Sequence, residues 1–170
     1  FYELKIPFFD GKSFTENATL DNNRIYIERF VDFYKQKWPK GYNFAIHGDL
    51  ALCNIFFSND EIYIIDWEHF HFDDQENFGV DIINMLFILM WHQGINDFNK
   101  LSKKTLDILK DVYKSLIENK TGINIFEHPF FYTKNYMIFN KEKYLIKDIQ
   151  KKFPITFVDD SFLIKIDKVL

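Results

Sequence analysis

Residues 44–70, FAIHGDLALCNIFFSNDEIYIIDWEHF, constrain the fold more than any other part of the chain. Three short β-prone runs, 42–46, 55–57 and 61–65, follow one another, and Ser58-Asn59-Asp60 between the last two is a tight-turn triplet. Those two runs must pair as an antiparallel hairpin. A hairpin brings its ends together, so Asn54 at its start and Asp66 at its finish stand side by side. Asp49 lies on the loop that turns away after Ile46 and stands over them.

That grouping has a chemical meaning. Two oxygen donors beside a further carboxylate suit Mg²⁺, which takes oxygen ligands and commonly uses one or two carboxylates plus phosphate oxygens. The third group, Asp49, is then placed to take a proton from an attacking hydroxyl.

His47, Gly48, Asp49, Leu50 and Asn54 spell H-G-D-L-x-x-x-N, and Ile65-Asp66-Trp67-Glu68 follows. This pair of motifs resembles the aminoglycoside phosphotransferase and choline/ethanolamine kinase families, small-molecule relatives of the protein kinases. The protein-kinase equivalents are H-R-D-L-x-x-x-N and D-F-G. Gly48 stands where those enzymes have Arg, and Trp67-Glu68 replaces Phe-Gly. Val80-Asp81-Ile82-Ile83-Asn84 is also similar to the D-I-x-N of choline kinases. The match covers residues 44–84, about a quarter of the chain.

The resemblance implies a transfer of the γ-phosphoryl of ATP to a hydroxyl of a small molecule. It implies Asp49 as catalytic base or hydroxyl-orienting carboxylate, and Asn54 and Asp66 as ligands of Mg²⁺. His47 would brace the catalytic loop, and Asp81 would hold it from the following helix. Glu68 would contact substrate or stand behind the metal ligands. The implied fold is α+β, mainly α: the large, C-terminal lobe of a protein-kinase-like fold with a short catalytic β-hairpin.

The rest of the chain is compatible with such a lobe. Apolar residues at helical spacing predict a helix from Asp21 to Trp38, capped by Asn22 or Asp21 and stopped by Pro39 and Gly41. Residues 67–78 read as polar and irregular. Phe78-Gly79 opens an apolar helix over 80–92. Ser102 caps another, with Leu106, Leu109, Tyr113 and Leu116 on one stripe and Gly122 closing it. A last helix is expected over 132–152, ended by Pro154, and residues 155–170 have no assigned form. One domain, 1–170, is expected, with its catalytic hairpin at 44–68 and its helical part at 79–153.

No Gly-rich phosphate loop precedes His47, Gly11-Lys12-Ser13 lacks the required spacing, and neither Lys5 nor Lys12 sits in a V-A-I-K-like strand. The small lobe that would cover ATP is therefore expected to be absent from this chain, which starts at Phe1 and reads as a piece of a longer protein. The alternative is a truncated, non-catalytic kinase-like domain that binds a ligand or partner.

Composition sets the remaining bounds. The formal net charge of −4 argues against nucleic acid as partner, and the apolar run 82–91 is too short to insert in a membrane. The lysines between Lys141 and Lys152 read as a solvated helix face. The single cysteine, Cys53, excludes an internal disulfide and suggests a cytoplasmic protein. Cys53 itself is expected to pack as a small apolar residue. His69 and His71, with Asp73, Asp74 and Glu76, are expected to form a solvated loop rather than a zinc site. Glu68, Asp73, Asp74 and Glu76 form either an ordinary acidic loop or a lure for a cationic acceptor such as choline, ethanolamine or an aminosugar, with Trp67 or Trp91 offering cation–π contact. With 21 Phe in the chain, the face left open by a missing lobe is expected to favour self-association.

Overall fold

The computed structural model describes residues 12–13, 19–38, 44–58, 61–118, 125, 127–144 and 153–170. They form an α+β structure that is mainly helical, with two small antiparallel sheets.

The first helix, α1, spans Leu20–Lys37 and buries Leu20, Ile27, Phe30, Val31 and Tyr34 on one face. Its cap is Thr19, whose Oγ1 accepts from Asn22 N at 3.2 Å, rather than the expected Asn22 or Asp21. Asp21 instead lies in the first turn, where its charge suits the positive end of the helix dipole. Pro39, Gly41 and the front of the first expected strand lie outside the described residues.

β1 (Lys12–Ser13) pairs with β3 (Ile55–Ser58), and β3 pairs with β4 (Glu61–Ile64). The expected hairpin is present, in the register Ile55↔Ile64 to Ser58↔Glu61; Asn59 and Asp60 of its turn lie outside the described residues. The second sheet corrects the sequence reading. Residues 67–78 are not irregular throughout, because β5 (His71–Asp73) pairs with β2 (Phe44–Ile46), Phe44 opposite Asp73 and Ile46 opposite His71. His-Phe-Asp has no apolar run to announce a strand. Its partner, fully buried β2, supplies the ladder.

The core runs under both sheets. α2 spans Val80–His92, as the apolar run requires, and all but its last turn and one earlier residue are buried. Gly79 precedes it at φ 93°, and a Cβ there would lie 2.7 Å from Ile125 Cδ1. Tyr34 ties α1 to this entry: its hydroxyl accepts from Gly79 N at 3.3 Å, and its ring packs against Trp38, Phe44 and Phe78. α3 spans Lys103–Ile117, capped by Ser102 Oγ as expected. Its buried stripe is Thr105, Ile108, Leu109, Val112, Tyr113 and Leu116, so Leu106 lies at the margin, and Gly122 is outside the described residues. α3 lies along α1, with Arg24–Asp111 (2.7 Å) and Lys104–Asp21 (3.4 Å) at the seam.

The helix expected over 132–152 is shorter and earlier: α4 spans Pro129–Phe139, with proline in its first turn, where no N–H is lost. A 3₁₀ turn, Lys141–Tyr144, follows it, so Lys141 and Lys143 lie in that turn; Lys147, Lys151 and Lys152 of the expected helix face lie outside the described residues. The closing segment contains α5, Asp160–Asp167, capped by Asp159 and packed on α4. Asp167 explains the docking. Its carboxylate accepts from Phe130 N (2.9 Å) and Phe131 N (3.0 Å), satisfying donors that the start of α4 leaves unpaired.

Candidate functional site

The loop between β2 and β3 is braced at both ends. Ile46 ends β2 inside the core, and His47 and Gly48 then turn their N–H groups onto one buried carboxylate, Asp81 in the first turn of α2. His47 N donates to Asp81 Oδ2 at 2.8 Å and Gly48 N to Asp81 Oδ1 at 3.0 Å. Burial pushes the Asp81 carboxyl up, opposed by His47 and by these two N–H groups.

His47 carries the brace to the hairpin. Its Nε2 lies 2.9 Å from Ile65 O, and its Nδ1 accepts from Asp49 N at 3.3 Å, which assigns the proton to Nε2. Asn54 closes the other end: its Nδ2 donates to Asp49 O at 3.0 Å, and its carbonyl accepts from Ile65 N at 3.0 Å. Ile65 is thus held by both His47 and Asn54, and the next residue is Asp66.

Asp66 has φ 65°, the one non-glycine among the described residues in the left-handed region. Asp tolerates that region better than most side chains, but it costs energy unless the surroundings impose it. Here they do. Ile65 is anchored as above, and Trp67 is packed between Trp38 and His47, at ring-centre distances of 5.6 and 4.6 Å.

The loop of Asp49 and the two ends of the hairpin, at Asn54 and Asp66, therefore meet at one rim, linked through Asn54 Nδ2 to Asp49 O and Ile65 N to Asn54 O. Two more observations agree. The Asn54 amide is oriented by the bond from its Nδ2 to Asp49 O, and its Oδ1 accepts from Cys53 Sγ at 3.7 Å. The thiol of Cys53 is pushed up by burial and then by the negative charges of Asp49 and Asp66, so both carboxylates act on the same spot. Cys53 does not pack as a small apolar residue: the 3₁₀ turn Leu52–Asn54 buries Leu52 and Asn54 and leaves Cys53 on the surface, its thiol only partly covered.

Glu68 and His69 come to this rim by a route the sequence hides. Gly48 sits at φ 84°, and a Cβ there would meet His69 O at 2.6 Å and His69 Cβ at 2.8 Å. Only glycine lets the 68–69 turn press so close to the loop. One donor atom from each of Asp49, Glu68 and His69 consequently lies within 4.8 Å of the others, and His69 Nε2 is 2.9 Å from Glu68 Oε1. His69 is buried and His71 half-buried within β5, which replaces the expected solvated loop. His71 is held elsewhere, with Nδ1 3.0 Å from the backbone carbonyl of His69 and Nε2 3.0 Å from Tyr136 Oη.

The acidic group divides. Asp73 accepts hydrogen bonds from Tyr136 and from Lys143 Nζ (2.9 Å). Burial raises its carboxyl, but these bonds more than offset that and hold it below the usual range. It is engaged within the fold, beside a cavity of about 340 Å³ lined by Asn77, Tyr132, Asn135 and Tyr136. Asp74 and Glu76 are exposed. Trp91 sits at the far end of α2, about 15 Å along the axis from Asp81, stacked on Phe87 and edge-on to Phe157. It is not at this rim. Trp67 is, though its ring faces are largely spent on Trp38 and His47.

Comparison with protein-family models, with curated proteins and with solved structures finds no match for the chain.

Proposed function

We propose that the rim formed by Asp49, Asn54 and Asp66 belongs to an ATP-dependent phosphotransferase acting on a small-molecule hydroxyl. The observation that carries this reading is the double anchoring of Ile65 by His47 and Asn54, which holds Asp66 at φ 65° beside the loop of Asp49. A strained carboxylate kept in place by buried polar bonds is a common mark of a functional site. On this reading the chain is the large lobe of a protein-kinase-like fold, and the lobe that covers the nucleotide lies outside it.

The donor set fits Mg²⁺. Asn54 Oδ1, buried, and the Asp66 carboxylate are hard oxygens at the open end of one hairpin, and Asp66 is exposed enough to accept a hydrated ion with its phosphates. Asn54 and Asp66 would hold the ion, and the chemistry it would supply there is positive charge beside the phosphate oxygens.

The protein's own groups do the rest. The Asp49 carboxylate accepts a hydrogen bond from the acceptor hydroxyl, turning an oxygen lone pair toward the γ-phosphorus, and receives the proton as the new P–O bond forms and the bond to the β-phosphate oxygen breaks, releasing ADP. His47 and Asn54 keep the Asp49 backbone from moving, since one binds its N–H and the other its carbonyl. Asp81 holds the start of the same loop from α2. Glu68, exposed beside Asp49, favours a cationic acceptor such as choline, ethanolamine, an aminosugar or an aminoglycoside, whereas Asp74 and Glu76 follow the end of β5 that lies away from Asp49.

The test is phosphate transfer from labelled Mg-ATP to a panel of such alcohols. Asp49→Ala should lower turnover by about 10²-fold or more. Transfer that survives this change at the wild-type rate would remove Asp49 from the chemistry.

A further inference from the structure

We propose that Asp49, Glu68 and His69 form a Zn²⁺ site that, when filled, shuts down the hydroxyl-activating carboxylate. Asp49, Glu68 and His69 each bring one donor atom within 4.8 Å of the other two, a mixed set of two carboxylates and one imidazole. Around a tetrahedral zinc with bonds of about 2.1 Å, donors stand about 3.4 Å apart. The His69–Glu68 pair is already at 2.9 Å. Glu68 is the more exposed member, its side chain 59% exposed against 8% for His69, so it is the one that shifts as the donors close on the ion.

The grouping is structural rather than accidental. The loop carrying Asp49 and the turn carrying Glu68 and His69 touch through Gly48, so the donors hang on two backbone segments in van der Waals contact. Three protein ligands with one position open is the pattern of an accessible zinc site. The imidazole also sets selectivity. Mg²⁺ takes oxygen donors, so it fits Asn54 and Asp66, whereas borderline ions such as Zn²⁺ take nitrogen with oxygen. One rim thus carries adjoining sites of different softness that share the neighbourhood of Asp49.

Binding takes the lone pair of His69 Nε2, so the neutral ring carries its one proton on Nδ1, and Glu68 turns its carboxylate from Nε2 to the metal. Coordination also takes a lone pair of Asp49, which can then no longer receive the proton of an acceptor hydroxyl. This consequence rests on the phosphotransferase reading; the zinc site itself does not.

Calorimetric titration with ZnCl₂ should find one Zn²⁺ per chain, and His69→Ala and Glu68→Gln should each weaken it about tenfold or more. Glu68 is exposed, so Glu68→Gln keeps the test sound if His69→Ala does not fold. Asp66→Asn, outside the trio, should leave zinc affinity unchanged while removing Mg-nucleotide binding. Zinc should also stop phosphate transfer at the concentration that fills the site. Equal zinc affinity in the wild type and Glu68→Gln would overturn the site. Full transfer with zinc bound would overturn the shutdown, and absent Mg-nucleotide binding beside normal zinc binding would strike only at the phosphotransferase reading.

Discussion

Asp81→Ala tests whether one buried carboxylate organises the loop. In the wild type, Asp81 is 2% exposed and accepts from two buried N–H groups, those of His47 and Gly48, at 2.8 and 3.0 Å. Alanine leaves both donors without an acceptor in a place water does not reach, at a cost of about 1–3 kcal/mol each. Against this stands what folding loses by burying the acid, which its raised pKa reports and which the substitution recovers. The net expectation is a loss of about 2–4 kcal/mol, lowering Tm by roughly 5–15 °C for a chain of this size. Asp81→Asn keeps one acceptor oxygen but turns an NH₂ toward the second donor, so it should cost less than alanine while still being clearly destabilising. Urea unfolding followed by far-UV circular dichroism gives both numbers, with the m-value checking that the transition remains two-state. A midpoint for Asp81→Ala within about 0.5 kcal/mol of wild type, at unchanged m, would refute the reasoning.

Asp167 gives a pH signature. Its carboxyl is pushed up to about 6 by burial, against the opposing pull of Phe130 N, Phe131 N and His128. The folded state therefore holds the proton more tightly than the unfolded chain, so this contribution is present below about pH 4 and lost as pH rises through about 6. The difference between wild type and Asp167→Asn should change by up to about 3 kcal/mol across that window in urea titrations, and a constant difference would contradict the assignment. Gly48→Ala should destabilise by about 1–3 kcal/mol from the left-handed backbone alone, with more from the contact to His69; a thermal melt matching wild type would mean the two segments are not in contact.

Much of the site was legible because it is local. The hairpin and α2 follow from uninterrupted apolar runs between turn residues, and motif spacing alone put Asp49, Asn54 and Asp66 at strand ends. What stayed hidden depends on contacts between distant segments. β5 is three residues long and exists because buried β2 needs a ladder partner. α5 is short, and its role appears only when Asp167 meets the start of α4. The start of α4 carried a readable signal, Pro129 at the first helical position, which the apolar spacing farther on outweighed. Likewise, Asp73 looks available in sequence but is engaged by Tyr136 and Lys143, and nothing local connects those residues. His69 reads with His71 because they are two apart, yet His69 lies on the turn before β5 and His71 within it, and the space beside Gly48 decides which carboxylates His69 meets.

The most direct test of the central claim is calorimetric titration of the chain with ATP, with and without Mg²⁺, compared with Asp66→Asn, a substitution that the left-handed backbone tolerates. The wild type should give a saturable heat that requires Mg²⁺, and Asp66→Asn should lose most of it. Equal heats from both proteins, or binding indifferent to Mg²⁺, would contradict the assignment of Asn54 and Asp66 to the metal.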